Sequence, residues 1–256
     1  MPNLLAGKSA VVLGVANRWS LAYAIAEAFR REGACLVLTY QSERQRDAVE
    51  TLGQELSAAH VFPCDVAQDQ ELAQLTERLA AGPGRVDAVV HSIAFANRED
   101  ITRPFVETSR AGFALANEIS AYSLVAVGRA LAPLMTAGGS ITTLTYLGAN
   151  RVIPNYNVMG VAKAALEATV RYLASDLGPK NIRVNAISAG PVKTASARAI
   201  KDFSSILDFV AQRAPLRRNT DPLEVADAAV FLASSLGRGV TGNVLYVDSG
   251  FQIMGL

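Results

Sequence analysis

The feature that most constrains this sequence is a regular alternation of two kinds of segment along its 256 residues. Short apolar runs rich in β-branched residues, typical of buried strands, alternate with longer stretches in which apolar residues have helical spacing. The seven strand-like runs are SAVVLG, CLVLTY, HVFPCD, DAVVHS, SITTLTY, IRVNAIS and NVLYVDS. Parallel strands need such crossovers, so the pattern predicts a Rossmann-type α/β fold, a doubly wound seven-stranded parallel sheet with helices on both faces.

Helical patterns are clearest at about 20–31, 43–57, 69–81 and 222–234. A long helix is expected between DAVVHS and SITTLTY, and another is expected to carry YNVMGVAK. No low-complexity linker, repeat or shift in composition divides the chain, and its 50% hydrophobic content is enough to bury a large core. We therefore predict a single domain over residues 1–256.

Charge and residue types argue against several classes of function. Lys and Arg total 24 against 23 Asp and Glu, which leaves no basic field for a nucleic-acid backbone. The apolar runs are shorter than the roughly 20 residues of a spanning helix, and the N-terminal sequence lacks a signal-peptide pattern. We expect a cytoplasmic protein with no nucleic-acid or membrane partner.

The cysteines and histidines predict neither a redox motif nor a metal site. Cys35 and Cys64 are too far apart for a CxxC pair and are expected to be small buried residues inside strands. His60 and His91 are the only histidines, and no HExxH motif is present. His91 lies on a predicted strand, so we expect a hydrogen-bonded core histidine and not an acid–base catalyst.

In a doubly wound sheet, ligands bind beyond the carboxyl ends of the strands, near the point where strand order reverses. After the first strand comes GVANRWSLA, in which Gly14 allows a close turn and Ser20 can cap a helix and bond a phosphate. The G-x-G-x-x-G fingerprint is absent, and a glycine turn with a serine cap also joins many strands to helices without a ligand. The other strand ends expected along this edge carry Gln41, Asp65, Ser92, Tyr146 and the stretch SAGPVKT.

The ends of the second and third strands bear on the choice of dinucleotide. Gln41 stands where an acidic residue favours a free ribose 2′-hydroxyl and a basic one favours a 2′-phosphate. Because Gln41 is neutral, we predict NADH, with NADPH less favoured; Arg44 and Arg46 nearby are the argument for NADPH. Asp65 and Val66 either bracket the adenine or only end a strand and cap a helix.

The stretch YNVMGVAK contains the main catalytic candidates, Tyr156 and Lys163. Many nicotinamide-dependent reductases place a Tyr four residues before the Lys, but here that position is Met159. If both lie on one helix, a separation of seven also returns to the same face, about 10 Å along the axis. A buried Lys can lower the pKa of a nearby phenol and bond a cofactor ribose; the alternative is a packed Tyr and an exposed Lys. Tyr146, thirteen residues before Met159, replaces the serine of those reductases.

From about residue 5 to about 253 the chain resembles the NADH-dependent enoyl-acyl carrier protein reductases, a divergent branch of the short-chain dehydrogenase/reductases. The resemblance rests on GVANRWSLAYAIA, HSIAFA, LTYLGANRVIPNYNVMGVAKAALEA, RVNAISAGPVKT and IKDF, and its most specific part is the Tyr-x6-Lys with its upstream Tyr. It implies hydride transfer from NADH to C3 of a trans-2-enoyl thioester in fatty-acid biosynthesis. It also implies an acyl carrier protein as the bearer of the substrate, and a homotetramer.

The resemblance also implies roles for individual residues. The implied catalytic residues are Tyr146, Tyr156 and Lys163. The implied cofactor contacts are Gly14, Ser20, Leu21, Gln41, Asp65, Val66, Ile93, Lys163, Val192 and Thr194. The implied substrate contacts are Ala96, Tyr146, Tyr156, Met159, Ile200 and Phe203.

The sequence departs from the family pattern in two places. Trp19 stands where relatives usually have a basic residue, next to the serine of the cofactor loop, and Ser204-Ser205 replaces basic residues that some relatives carry after IKDF. An acidic carrier protein favours a basic rim. Arg198, Lys201 and Arg151 are the nearby cationic candidates for that rim.

The displaced tyrosine suits enoyl reduction, because hydride adds to C3 while negative charge develops on the oxygen at C1. Tyr156 is expected to stabilise that enolate oxygen, with Tyr146 orienting the thioester or assisting protonation. The Ala-rich segment at 194–209 is expected to form a lid that excludes water, the alternative being plain surface packing. Two other functions remain open: a 3-oxoacyl or other carbonyl reductase, which Met159 disfavours, and a non-catalytic NAD-binding regulator.

Overall fold

The computed structural model describes residues 3–194 and 203–255, which form a seven-stranded sheet with helices around it. The strands are β1 Ser9–Leu13, β2 Cys35–Tyr40, β3 His60–Pro63, β4 Ala88–His91, β5 Gly139–Thr145, β6 Ile182–Ala189 and β7 Val244–Val247. Their order is β3-β2-β1-β4-β5-β6-β7, and every pairing is parallel. The predicted fold class is therefore confirmed, and the order reverses between β1 and β4, the switch point at which such sheets bind ligands.

The helices cover both faces of this sheet. They are α1 Leu21–Arg31, α2 Glu43–Glu55, α3 Asp69–Ala81, α4 Arg98–Thr102, α5 Arg110–Asn117, α6 Ser123–Leu131, α7 Val158–Leu177, α8 Phe203–Arg213 and α9 Pro222–Ala233. Side chains alternate along each strand, so Ala10 and Val12 pack into a core with α1, α2 and α9. Val11 and Leu13 pack into the core on the other face, with α3, α6 and α7.

The single long helix expected between β4 and β5 is a more complex segment. After the short α4, a continuous helical stretch, Arg110–Leu134, joins α5 to α6 through five residues of π-helix, Glu118–Tyr122. By length and composition alone this stretch is long and apolar enough to cross a membrane, so the expectation that every apolar run is too short is wrong here. Half of its most apolar window is buried inside the fold, which accounts for its composition.

The two cysteines differ from each other in environment. Cys64 is buried, as expected, but it follows β3 and does not lie within it. Cys35 is exposed, and the expectation of a buried residue is wrong, because Cys35 opens β2 directly after the turn at Gly33.

The start of α7 differs from the sequence-based expectation in a way that matters for the site. Tyr156 was expected on the same helix as Lys163, but the helix begins at Val158. Asn157 precedes it with φ 39° and ψ −117°, far from helical values. Tyr156 therefore lies in the turn ahead of the helix, and its relation to Lys163 is not set by helical periodicity.

Candidate active site

A cavity of about 430 Å³ opens at the carboxyl ends of β1, β4, β5 and β6, a volume that suits a small-molecule ligand. The predicted site residues that line it are Gly14, Ser20, Leu21, Ile93, Ala96, Tyr146, Tyr156, Met159, Lys163, Val192, Thr194 and Phe203. The fold thus brings together residues that are far apart in the sequence, as the strand-end rule predicts. Their individual roles in binding and catalysis stay predictions.

The loop after β1 has the geometry of a phosphate-binding turn. Gly14 has a φ of 95°, and a Cβ atom there would lie 2.1 Å from the backbone oxygen of Ser92, so only glycine fits. Ser20 is the N-cap of α1, and its Oγ accepts a hydrogen bond from the backbone N–H of Tyr23 at 3.2 Å. The Ser20 hydroxyl donates at 2.7 Å to the Asn17 carbonyl oxygen, so it can bond a phosphate group only in exchange for that contact, while the positive end of α1 stands at the cavity and favours an anion there.

Three predicted cofactor residues lie outside the cavity, at the ends of β2 and β3. The Gln41 amide nitrogen is 3.4 Å from a carboxylate oxygen of Asp65, whose other oxygen accepts a hydrogen bond from the Ala67 N–H at 3.0 Å. Val66, beside Asp65, is buried. Gln41 and Asp65 form a polar rim on the β2 side of β1, the side on which the adenosine half of a dinucleotide lies in this fold class.

The two candidate tyrosines contact each other inside the cavity. Their rings are edge to face, with centroids 5.0 Å apart and an interplanar angle of 72°. Burial raises the pKa of Tyr146 to about 12 and also raises the pKa of Tyr156, to which Tyr146 contributes as a second cause. The expectation that Lys163 lowers the phenol pKa is therefore not met in this structure, because desolvation dominates. Both phenols are protonated at neutral pH and can donate hydrogen bonds.

The Tyr156 ring packs tightly against a glycine in the turn after β5. A Cβ atom at Gly148 would lie 2.4 Å from the Tyr156 ring, and a Cβ atom at Gly160 would lie 2.8 Å from the backbone oxygen of Gly148. The turn after β5 and the first turn of α7 therefore approach each other more closely than side chains would permit. The position of the Tyr156 ring depends on this approach.

Lys163 is buried on α7 and points its ammonium group at the end of β5. Its Nζ donates a hydrogen bond to the Leu144 carbonyl oxygen at 2.7 Å. Desolvation lowers the pKa of Lys163 to about 8, although Glu167, one turn further along, acts in the opposite direction. Glu167 is fixed in turn by Thr145 Oγ1 at 2.8 Å and Asn150 Nδ2 at 3.1 Å. The ammonium form of Lys163 therefore prevails at neutral pH and is lost just above it.

Sequence reasoning missed the role of the π-helical segment at the site. Ser120, within that segment, accepts a hydrogen bond from the Phe95 N–H at 2.9 Å and donates one to the Phe95 carbonyl at 3.0 Å. Its Oγ also lies 3.8 Å from the sulfur of Met159. Ser120 thus holds the loop after β4 against α7, a kind of position at which π-helical turns often occur. A lone serine in an apolar stretch gives no signal of this role.

Ile101, which also lines the cavity, was not predicted either. It lies on α4, a five-residue helix without a periodic pattern of its own. Its place beside the first turn of α7 depends on contacts between segments more than fifty residues apart, which one sequence does not reveal.

His91 is a hydrogen-bonded core residue, as expected. It is fully buried, with Nδ1 2.9 Å from Thr143 Oγ1 and Nε2 2.8 Å from Ser123 Oγ. Desolvation, with a smaller effect of the Lys163 charge, lowers its pKa to about 3, so His91 is neutral at physiological pH. Across residues 3–194 and 203–255, no group of three or more His, Cys, Asp or Glu side chains is arranged to hold a metal ion.

The predicted lid is described only at its two ends. Ile200, Arg198 and Lys201 lie outside the described residues, whereas Phe203 opens α8 and lines the cavity. Trp19, beside Ser20, is 66% exposed.

The chain matches known enzymes along nearly its whole length. The profile of the family described as enoyl-(acyl carrier protein) reductase matches residues 14–252. The enoyl-acyl-carrier-protein reductase (NADH) FabI of Bacillus cereus is 54% identical over 254 residues, covering 98% of this chain and 99% of that protein. The corresponding enzyme (NADPH) of Staphylococcus aureus strain MRSA252 is 50% identical over 250 residues, covering 97% and 98%.

Solved structures give the same result. The crystal structure of the Bacillus cereus enoyl-acyl carrier protein reductase with NADP+ and indole naphthyridinone has a TM-score of 0.98 to this chain at 54% identity, and each chain is covered completely. The family predicted from the motifs is confirmed. This chain belongs to the enoyl-(acyl carrier protein) reductase family.

Proposed function

We propose that this chain reduces the C2–C3 double bond of a trans-2-enoyl thioester carried on acyl carrier protein, with NADH as the reductant. The observation that carries the proposal is the arrangement of Tyr146 and Tyr156, edge to face in the same cavity as Lys163. Met159 occupies the position at which carbonyl reductases of this fold carry their tyrosine. The phenols are thereby offset from that position.

The residues present fit a nicotinamide dinucleotide, which supplies the hydride for C3 when bound. Gly14 lets the turn after β1 approach the backbone of Ser92 at the end of β4, which brings this turn to the cavity edge where a pyrophosphate would lie. Ser20 and the positive end of α1 bind the phosphate charge. Lys163 stands at the end of β5, where its ammonium group can donate to ribose hydroxyls in place of the Leu144 carbonyl.

The surroundings of Gln41 support NADH as the preferred cofactor. Arg46, one of the two cations that argued for NADPH, is paired with Glu50 at 2.8 Å and with Glu43 at 3.4 Å. Its charge is therefore already compensated and is a poor partner for a 2′-phosphate. Relatives of both cofactor types exist, and the Bacillus cereus enzyme, named for NADH, has been crystallised with NADP+, so the proposed preference rests mainly on these local contacts.

Because both phenols are protonated, they can stabilise an enolate by donating hydrogen bonds, whereas neither is suited to act as a nucleophile or a base. As hydride adds to C3, negative charge develops on the thioester oxygen, and the Tyr156 phenol donates a hydrogen bond to it. A donor already placed in a desolvated cavity can lower such a barrier by a few kcal/mol. Tyr146 contacts the Tyr156 ring and thus orients this donor.

The remaining features of the proposal concern the molecule around the site. We propose that the chain works as one dinucleotide-binding domain, that the segment at 194–209 closes over the acyl group, and that the enzyme is a cytoplasmic homotetramer. The position of Phe203 in the cavity wall supports the lid. For the acidic carrier protein, Arg198, Lys201 and Arg151 remain the proposed cationic contacts.

A paired assay tests this function. NADH oxidation is measured with crotonyl and acetoacetyl thioesters, and each assay is repeated with NADPH. We expect turnover of the crotonyl thioester, little turnover of the acetoacetyl thioester, and a higher kcat/KM with NADH. Preferential reduction of the acetoacetyl thioester would identify a carbonyl reductase, and tight NADH binding without turnover of either would identify a non-catalytic regulator.

A further inference from the structure

The backbone on either side of Tyr156 has an unusual conformation. Asn155 and Asn157 have φ values of 60° and 39°, in a region of backbone angles that residues other than glycine seldom adopt. Asparagine tolerates the left-handed region, but Asn157 combines its positive φ with a ψ of −117°, well outside the left-handed helical well. Such a conformation is strained and persists only where the surroundings hold it in place.

The Asn157 side chain provides the contacts that hold it. Its Nδ2 donates hydrogen bonds to the carbonyl oxygens of Ile101 at 2.7 Å and Arg103 at 2.6 Å. These carbonyls lie at the C-terminal end of α4, where a helix leaves its last carbonyls without partners. Both amide hydrogens of Asn157 are therefore used on a segment more than fifty residues away.

The two ends of this connection both reach the cavity. Ile101 lines its wall, and Tyr156, directly before Asn157, lines it from the opposite segment together with Tyr146. α4 packs against α7, and the Asn157 amide is a polar link between the wall at α4 and the turn that presents Tyr156.

We propose that Asn157 is a positioning residue that couples the placement of the Tyr156 phenol to the cavity wall at Ile101. This inference rests on the proposed function, because it assigns Tyr156 the role of hydrogen-bond donor to the reacting thioester. The strained turn places Tyr156 at the cavity. The two hydrogen bonds of the Asn157 amide fix the position of this turn relative to the wall at Ile101. A substrate that contacts the wall thereby fixes the position of the donor.

Two substitutions separate the amide from the backbone strain. Asn157→Gly removes the amide and adopts the positive φ without strain, a gain that the greater freedom of glycine in the unfolded chain partly offsets. Asn157→Asp keeps the size of the side chain but replaces the donating nitrogen with an oxygen that repels both carbonyls. The matched control is Asn117→Asp, because the Asn117 amide donates to the Phe113 carbonyl within α5 and does not line the cavity.

The experiment combines three measurements on the whole chain. They are steady-state kinetics, NADH binding, and hydrogen exchange of the protein before NADH is added. For both Asn157 variants we expect kcat with a crotonyl thioester to fall by about 10–100-fold, while the Kd for NADH stays within about twofold of wild type. Backbone amides of residues 98–106 should exchange faster than in wild type. Asn117→Asp should match wild type in all three measurements.

If Asn157 served only to stabilise the fold, Asn157→Asp would lower thermal stability and NADH affinity together. Asn157→Gly would then be more active than Asn157→Asp, because glycine relieves the backbone strain. Wild-type kcat in Asn157→Gly, or unchanged exchange at 98–106, would overturn the proposal. If wild type itself fails to reduce enoyl thioesters, the proposed function fails, and the exchange measurement alone decides whether the amide links the two segments.

Discussion

Gly148 limits the positions that the Tyr156 ring can occupy. The contact is so close that a methyl group at Gly148 would overlap the ring at 2.4 Å, whereas the same addition at Gly178 meets no atom within 4 Å. We expect Gly148→Ala to displace the Tyr156 phenol and lower kcat with an enoyl thioester by about 100-fold, since misplacement by about 1 Å has that effect. Gly178→Ala is the control and should retain wild-type kcat, because Gly178 has ordinary helical angles, φ −53° and ψ −43°. Equal kcat values for the two variants would show that the ring adapts.

The charge of Lys163 predicts how cofactor binding depends on pH. Burial brings its pKa to about 8, below the ordinary value of 10.5, so the ammonium is present below pH 8 and is lost as pH rises through that value. Bound NADH contributes negative phosphate charge and ribose acceptors, both of which favour the ammonium form. We therefore expect the Kd for NADH, measured by fluorescence titration, to rise above pH 8.

Substitutions at the same position test this assignment. Lys163→Met should bind NADH more weakly at pH 7 and show no rise in Kd between pH 7 and pH 9. Lys163→Arg keeps a positive charge over this range, so its Kd should also stay flat. A rise in Kd with pH that persists in Lys163→Met would assign the titration to another group.

At the scale of elements, the π-helical segment fixes the loop that follows β4. The Ser120 hydroxyl satisfies both backbone groups of Phe95 and is fully buried. Ser120→Ala should raise the KM for an enoyl thioester several-fold and cost about 1–3 kcal/mol of stability, because buried backbone groups lose their partner. Ser234→Ala is the matched control, since Ser234 is equally buried and its hydroxyl bonds the Phe231 carbonyl and the Leu236 N–H, away from the cavity. Steady-state kinetics and urea unfolding would distinguish them, and an unchanged KM in Ser120→Ala would exclude a role at the site.

Some helices and strands are predicted well from the sequence because their patterns are local. β1, SAVVL, is a nearly continuous apolar run, and β5, GSITTLT, is rich in β-branched residues, so the signal of both strands is local; α3 has the predicted bounds, 69–81. The start of α7 was mispredicted because Asn157 is held in its conformation by carbonyls on α4, a contact that no local pattern encodes. The π-helical turn, Glu118–Tyr122, is not predicted either, because its residue types are compatible with an ordinary α-helix.

At the scale of the whole molecule, strand order places the site. Because the order reverses between β1 and β4, the loops after β1, β4, β5 and β6 meet around one cavity, and most predicted site residues lie there. Motif spacing singled out Tyr146, Tyr156 and Lys163, and the fold places all three at this cavity even though Tyr156 lies ahead of the helix that was expected to carry it. Ile101, Ser120 and Asn157 carry no motif, and only the assembled fold reveals them.

In the proposed reaction, the Tyr156 phenol acts on the enoyl thioester and not on the cofactor. The most direct measurement compares kcat for a crotonyl thioester and the Kd for NADH in wild type, Tyr156→Phe and the control Tyr172→Phe, which alters a tyrosine of α7 that is 76% exposed. Loss of one preorganised donor predicts a fall in kcat of about 100-fold or more in Tyr156→Phe, with NADH binding unchanged. Wild-type kcat in Tyr156→Phe, or a loss confined to NADH affinity, would contradict the account.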